Sequence, residues 1–90
     1  MVKLRLFSAL REIAGSKEVE VEGNDLAIRD ALEKFVGKYG EKAQHILFKK
    51  DGDLAPSVLL LVNGETAVDG GNTQVSSGDT IQVLLPTAGG

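Results

Sequence analysis

Two glycines, Gly89 and Gly90, end the sequence and are the residues whose types most directly suggest chemistry. Because glycine has no Cβ, this backbone fits a channel too narrow for other residues, and nothing shields the terminal carbonyl carbon from attack. Pro86, Thr87 and Ala88 precede the pair, and five extended residues reach at most about 17 Å. The sequence therefore predicts a short arm that delivers the Gly90 carboxylate into the active site of another protein; a frayed terminus is the alternative.

The other potentially reactive residues give only weak evidence for a catalytic, metal or cofactor site. The sequence has no cysteine, which excludes a disulfide, a thiolate metal site and a cysteine nucleophile. A structural or surface role is expected for its one histidine, His45. Gly70-Gly71 matches neither a phosphate-binding loop nor a dinucleotide fingerprint, and the acids of the loops do not follow the calcium-loop pattern. We therefore expect no metal site and no bound cofactor.

The composition and net charge of the chain favour a globular protein and disfavour a nucleic-acid or membrane protein. The chain has 90 residues, of which 42% are hydrophobic and 26% charged, as in a single globular domain. Its formal net charge of −3 disfavours a nucleic-acid binder, because phosphate contacts need clustered Lys and Arg. There is no signal-peptide core and no apolar run of about 20 residues. We expect a cytoplasmic protein that binds neither nucleic acid nor membranes.

Four segments have the patterns of β-strands: residues 2–6, 18–22, 58–62 and 80–85. The first, second and last alternate apolar and polar residues, which is typical of half-buried strands. The third is five apolar residues in a row, which suits a strand that is buried on both faces or partly covered by a partner. Asn63-Gly64 follows it and predicts a two-residue hairpin turn.

One long helix and two shorter helical pieces are predicted. Ile28, Leu32, Phe35 and Tyr39 form an apolar stripe at helical spacing, and Gly40 is the expected end of that helix. Asn24 or Asp25 is the expected N-cap of this helix, and Ser8 that of a short helical turn over residues 9–14. A second short helix is expected over residues 41–48.

These elements predict an α+β fold with a mixed sheet of four to five strands and one long helix packed on one face. The first and last strands are both strongly patterned, which favours a place side by side at the centre. That is the layout of the ubiquitin-like β-grasp. We expect residues 1–85 to form the domain and residues 86–90 to form a flexible tail.

Residues 7–15, with the sequence Phe-Ser-Ala-Leu-Arg-Glu-Ile-Ala-Gly, resemble the opening motif of the MoaD family, the small sulfur-carrier subunit of molybdopterin synthase. The resemblance continues through Val62-Asn63-Gly64, Gly78-Asp79 and the Gly-Gly end, in order, over essentially the whole chain. Archaeal ubiquitin-like small modifier proteins share this pattern, and the thiamine sulfur carrier ThiS is a more distant relative. The chain departs from the MoaD pattern at Leu84-Leu85-Pro86, where the family usually has an aromatic residue and two prolines.

The resemblance implies that a MoeB-like enzyme of the E1 type uses ATP to adenylate Gly90, and that a sulfur donor then displaces AMP to leave a thiocarboxylate. The sulfur would attack a pterin precursor in a large, MoaE-like subunit of molybdopterin synthase, during molybdenum cofactor biosynthesis. On its own the chain is expected to be a non-catalytic carrier. One alternative is a protein modifier that is joined through Gly90 to lysines of target proteins, and another is a β-grasp interaction module with no covalent chemistry.

Strand alternation also predicts a docking surface. If the apolar residues of the first strand face the helix, then Lys3, Arg5 and Phe7 face outward. By the same alternation, Gln82 and Leu84 of the last strand face outward beside them. An exposed apolar patch with basic edges is typical of a protein–protein site. The alternative for Phe7 is that it folds over the sheet edge into the core.

Overall fold

The computed structural model describes residues 1–85, and the predicted tail, residues 86–90, lies outside the described residues. In chain order the elements are β1 (Val2–Leu6), α1 (Ser8–Ala14), β2 (Glu18–Val21), β3 (Leu26–Ala27), α2 (Ile28–Tyr39), α3 (Glu41–Leu47), β4 (Leu59–Val62), β5 (Glu65–Thr66), β6 (Gln74–Val75) and β7 (Thr80–Leu84). The α+β arrangement that the sequence predicts is confirmed.

Two parallel strands form the centre of the main sheet, as predicted. Its order is β2-β1-β7-β4-β5, with β1 parallel to β7 and every other neighbouring pair antiparallel. Leu4 lies opposite Ile81 in the central pair. Because β1 and β7 run in the same direction, the end of β7 lies at the same end of the sheet as Phe7.

The core lies between the sheet and the helices. The inward residues of β1 alternate strictly with exposed ones, and Ile81 and Val83 of β7 are fully buried beside them. The α2 stripe meets them with Ile28, Leu32 and Phe35, all at most 1% exposed. Tyr39, the last residue of the stripe, is half-buried against the core. The long helix therefore covers one face of the sheet, as the sequence predicts.

The predicted N-caps of the helices are wrong, whereas Gly40 ends α2 as predicted. The N-cap of α1 is Phe7, and Ser8 is already helical, with no side-chain cap. The N-cap of α2 is Ala27, also without a side-chain cap. The reason is that β3 pairs with β6 immediately before α2, so the chain enters the helix from a strand. The Ile28 N–H donates to the Thr73 carbonyl at 2.9 Å instead.

The predicted Asn63-Gly64 turn is confirmed. Both residues have positive φ, +50° and +89°, which a type I′ hairpin requires, and they join β4 to β5. The segment after β5 contains a 3₁₀ turn at Gly70–Asn72 and the short strand β6, neither of which has a strong pattern in the sequence. The strands β4 and β7 are each one residue shorter than predicted, at their first and last residues respectively.

Candidate functional site: a docking face beside the C-terminal arm

The outer face of the main sheet, which no helix of residues 1–85 covers, holds most of the residues that the sequence places at the docking surface. Lys3 and Arg5 are exposed on β1, and Gln82 and Leu84 are half-buried on β7. Arg5 lies opposite Gln82 in the parallel pair. The strand alternation that the sequence predicts for β1 and β7 is therefore confirmed, and these four side chains share one face.

Three leucines, Leu59, Leu61 and Leu84, form an apolar patch on this face, and Phe7 lies at the same end of the sheet as Leu84. Leu59 of β4 is directly opposite Leu84, and Leu61 is opposite Gln82. Leu59 is 50% exposed, whereas its neighbour Leu60 is 6% exposed and faces the core. Of the two alternatives for this strand, burial on both faces is wrong for Leu59. The register with β7 decides which of the two apolar faces of β4 is open.

Phe7 lies at the junction between β1 and α1. It is half-buried and does not belong to the buried core. The Arg11 guanidinium lies over its ring, 5.6 Å from the centroid, so a cation covers part of the aromatic face. Phe7 is the N-cap of α1 and its carbonyl accepts the Leu10 N–H at 3.2 Å, which fixes the backbone from which the ring projects.

A groove of about 360 Å³ lies where β7 ends. Its lining residues come from the segment before β4 and from the last residues of β7: Pro56, Ser57, Val58, Leu59, Leu84 and Leu85. Leu59 and Leu84 thus belong both to the apolar patch and to this groove. The predicted arm residues Pro86, Thr87, Ala88, Gly89 and Gly90 follow directly and lie outside the described residues.

Charges flank the patch on the β2 side. Lys3 lies opposite Glu20, and Arg5 lies opposite Glu18, in the antiparallel pair of β1 and β2. The basic side chains therefore stand between an acidic edge and the β7–β4 half of the face. An apolar centre with a charged rim is the usual anatomy of a protein–protein interface.

Asp79 connects the β4–β5 turn to the beginning of β7 and so supports the face from one end. Its carboxylate accepts the Ser76 N–H at 2.8 Å and the Asn63 side-chain amide at 3.1 Å. These two hydrogen bonds, with the Ser76 N–H the larger cause, hold the pKa of Asp79 below its ordinary value. The Asn63 side-chain oxygen also accepts the Thr80 N–H at 3.0 Å. The Asn-Gly and Gly-Asp motifs of the sequence thus meet in one network.

Comparison with known families identifies the family of this chain. The model described as the ThiS family matches residues 4–90, nearly the whole chain and including both terminal glycines. The chain belongs to the ThiS family. Its members are small ubiquitin-like carriers and modifiers, not enzymes, and the ubiquitin-like β-grasp predicted from the sequence is confirmed.

Individual relatives of this ThiS-family chain agree with that assignment. Small archaeal modifier protein 1 of Haloferax volcanii is 36% identical over 87 residues, which cover 96% of this chain and 97% of the relative. A crystal structure of that protein matches with a TM-score of 0.82 at 33% identity, over 99% of this chain and 98% of the other. The solution structure of small archaeal modifier protein 1 from Methanosarcina acetivorans gives 0.83 at 31% identity, over 99% and 95%.

A third match is a chain in the crystal structure of the Amycolatopsis orientalis BexX/CysO complex. It has a TM-score of 0.79 and 25% identity, and the match covers 100% of both chains. This related fold has thus been crystallised in a complex.

The rest of the described surface of this ThiS-family chain offers little reactive chemistry. His45 is exposed on α3, in agreement with the predicted surface role. Within residues 1–85, no group of three or more His, Cys, Asp and Glu side chains could hold a metal ion. No helix in that part of the chain is long and apolar enough to cross a membrane. The described part of the candidate site is therefore an apolar patch with charged flanks at the end of β7.

Proposed function

We propose that this chain is a sulfur carrier whose Gly90 carboxylate is adenylated by an E1-like, MoeB-like enzyme and converted to a thiocarboxylate. The sulfur then passes to a pterin precursor in a large, MoaE-like subunit of molybdopterin synthase. The observation that carries the proposal is the ThiS-family match, which runs through Gly90, on a fold whose apolar patch lies beside the end of β7.

The chemistry assigned to the arm requires activation. A carboxylate is a poor electrophile, so one oxygen of Gly90 attacks the α-phosphate of ATP, forms the acyl-adenylate and releases pyrophosphate. A sulfur nucleophile then attacks the acyl carbon, AMP leaves, and a thiocarboxylate remains. ATP belongs to the activating partner, and the carrier contributes only its acyl group. No side chain of residues 1–85 is needed as a base.

The docking face supplies the binding free energy in this proposal. An arm of five residues costs about 1–2 kcal/mol per residue to order in a channel. Contacts of the arm alone offset that cost poorly, so the partner must also grip the folded domain. Phe7, Leu59 and Leu84 are the proposed apolar anchors, and Lys3 and Arg5 are the proposed charged rim.

The experiment that tests sulfur carriage is a reconstitution. The chain is incubated with the E1-like enzyme from the same organism, ATP and a sulfur donor, and its intact mass is measured. We expect the mass increment of one oxygen-to-sulfur exchange, which is absent without ATP. Addition of the large synthase subunit and its pterin substrate should return the chain to its original mass. A chain that never gains sulfur contradicts this proposal.

Conjugation to proteins is the second candidate function, and one observation favours it. The Haloferax volcanii relative, 36% identical over almost the full length of both chains, is named as a modifier protein. The same acyl-adenylate would then be attacked by a lysine Nζ of a target protein, with loss of AMP and formation of an isopeptide bond. Trypsin cleaves after Lys and Arg, and Lys50 is the last such residue of the chain, so tryptic digestion of proteins from the native host should release lysines that carry residues 51–90 as a branch.

A further inference from the structure

The strand β2 leaves one side of the main sheet open. It is the first strand in the sheet order and pairs with β1 alone. The Leu6 N–H donates to the Lys17 carbonyl at 2.8 Å, so alternate residues from Lys17 onward bond to β1. In an antiparallel ladder the residues between them direct their backbone groups the other way. Glu18 and Glu20 therefore present N–H and C=O groups to the open edge.

The first of these two positions is already occupied. The Ser16 hydroxyl donates to the Glu18 carbonyl at 2.8 Å and accepts the Glu18 N–H at 3.4 Å. The Ser16 side chain thus satisfies the backbone N–H and C=O of Glu18, at the beginning of the open edge. The unoccupied part of the edge is thus centred on the backbone N–H and C=O of Glu20.

The open edge has a mainly acidic setting. Residues 17–34 contain six carboxylates and three basic residues: Glu18, Glu20, Glu22, Asp25, Asp30, Glu33, Lys17, Arg29 and Lys34. The Arg29 guanidinium turns away from β2, because it donates to the Gly52 carbonyl at 2.9 Å and lies 3.9 Å from Asp53. Within residues 1–85 no ion pair within 4.0 Å involves Glu18 or Glu20.

A groove continues inward from this edge, between the end of β2 and α2. It has a volume of about 570 Å³, and its lining includes half-buried Leu26 together with Asp30, Glu33 and Lys34 of α2. The groove therefore combines an apolar floor with a wall of two carboxylates and one ammonium group.

The protein already contains a strand that matches these features. On the other side of β2, the strand β1 places Lys3 opposite Glu20 and Arg5 opposite Glu18, while Leu4 and Leu6 face the core. A strand that alternates basic and apolar residues is thus what β2 accepts on its closed side. The carboxylates of Glu18 and Glu20 and the apolar floor of the groove favour the same alternation of basic and apolar residues in a strand on the open side.

We propose that the open edge of β2 binds an extended segment of a partner protein in which basic residues alternate with apolar residues. The segment adds a strand to the sheet at Glu20, its basic side chains lie beside Glu18 and Glu20, and its apolar side chains enter the groove over Leu26. A second copy of this chain does not fit, because it would bring Glu20 against Glu20. The edge is separate from the apolar patch, so it can be occupied while the arm is engaged.

The test uses a fluorescent seven-residue peptide that alternates Lys and Val, with binding followed by anisotropy and by amide chemical shifts of the full chain. We expect the largest shifts at residues 18–23 and 26. Glu20→Lys should weaken binding by about threefold to tenfold, because the charge reversal removes one exposed charge contact and adds a repulsion of similar size. The matched control is Glu65→Lys on β5, the opposite edge strand, which should leave the affinity within about twofold.

A second peptide, with N-methyl groups on the residues that face Glu20, separates strand addition from charge attraction. It keeps every charge and loses the ladder N–H groups, so it should bind at least about tenfold more weakly if each lost ladder hydrogen bond contributes its ordinary amount. Equal binding of the two peptides overturns the proposal. Equal effects of Glu20→Lys and Glu65→Lys, or shifts that map to the apolar patch, also overturn it.

Discussion

Adjacent leucines on β4 offer a test of the docking face in which each is the control for the other. Leu59 is 50% exposed on the outer face, and Leu60 is 6% exposed in the core. Both are truncated to alanine, so the change in chemistry is identical. Only the direction in which the side chain points differs.

The expected magnitudes follow from these exposures. Full burial of a leucine side chain contributes about 1.5–3 kcal/mol, so the open half of Leu59 can contribute about 0.8–1.5 kcal/mol when a partner covers it. Leu59→Ala should therefore raise the Kd for the activating enzyme about fourfold to twelvefold. Its cost in unfolding free energy should be about 1 kcal/mol, because only the inner half of the side chain is buried by folding. Leu60→Ala should cost about 2–5 kcal/mol of stability through a cavity.

The assay pairs titration calorimetry against the E1-like enzyme with urea unfolding of each variant. Leu60→Ala that remains folded should bind within about twofold of the unaltered chain, because its side chain cannot touch a partner. The reasoning is refuted if Leu59→Ala binds normally. It is equally refuted if Leu60→Ala loses more affinity than Leu59→Ala while its fold is intact.

Three further predictions concern the framework that holds this face. Phe35→Ala should cost about 3–5 kcal/mol of unfolding free energy, measured in urea, while Lys38→Ala on the exposed side of α2 changes it by less than about 0.5 kcal/mol. Gly37→Ala should stabilise α2 by about 0.5–1 kcal/mol, since a Cβ there meets nothing within 4 Å. In contrast, Gly71→Ala should lower the free energy of unfolding, because its Cβ would overlap a Leu54 methyl group. Asp79→Ala should lower the free energy of unfolding by about 1 kcal/mol at neutral pH. The hydrogen bonds that lower the pKa of Asp79 stabilise the fold only while its carboxylate is charged. The difference in stability from the unaltered chain should therefore disappear as the pH falls below about 4. A gap in thermal midpoint that stays constant from pH 7 to about pH 2.5 contradicts this assignment for Asp79.

The centre of the fold was predictable because its signals are local and repeated. Strict alternation in β1 and β7 and the four-residue stripe of α2 each specify a buried face, and burial of those faces together leaves few arrangements. The short pair of β3 and β6 was not predictable. Each strand has two residues, and the pairing joins Leu26 to Val75 across a long separation in sequence.

The prediction of Asn24 or Asp25 as the N-cap of α2 was wrong because of another contact between distant parts of the sequence. Asn24 and Asp25 have the residue types of N-caps, but their carboxamide and carboxylate oxygens accept hydrogen bonds from the Ser77 N–H and the Ser76 hydroxyl, both at 3.0 Å. Those partners lie more than fifty residues away. A tertiary contact has thus replaced the local one that the sequence favours.

The composition of the outer face of the sheet was predictable in part. Alternation in β1 and β7 places Lys3, Arg5 and Leu84 on the outer face. In contrast, the apolar run of β4 has no alternation, so only its register with β7 reveals that Leu59 and Leu61 are the outward residues. The acidic open edge of β2 is visible as three alternating glutamates, but its free backbone groups depend on the sheet order.

Adenylation of Gly90 is the central claim, and ATP–pyrophosphate exchange catalysed by the E1-like enzyme measures it most directly. The full chain should stimulate exchange in a saturable way, and a chain that lacks Gly90 should give only the background rate. Both chains should have nearly the same thermal midpoint, which keeps a folding defect apart from a chemical one. Exchange that persists at the full rate without Gly90 would contradict the account.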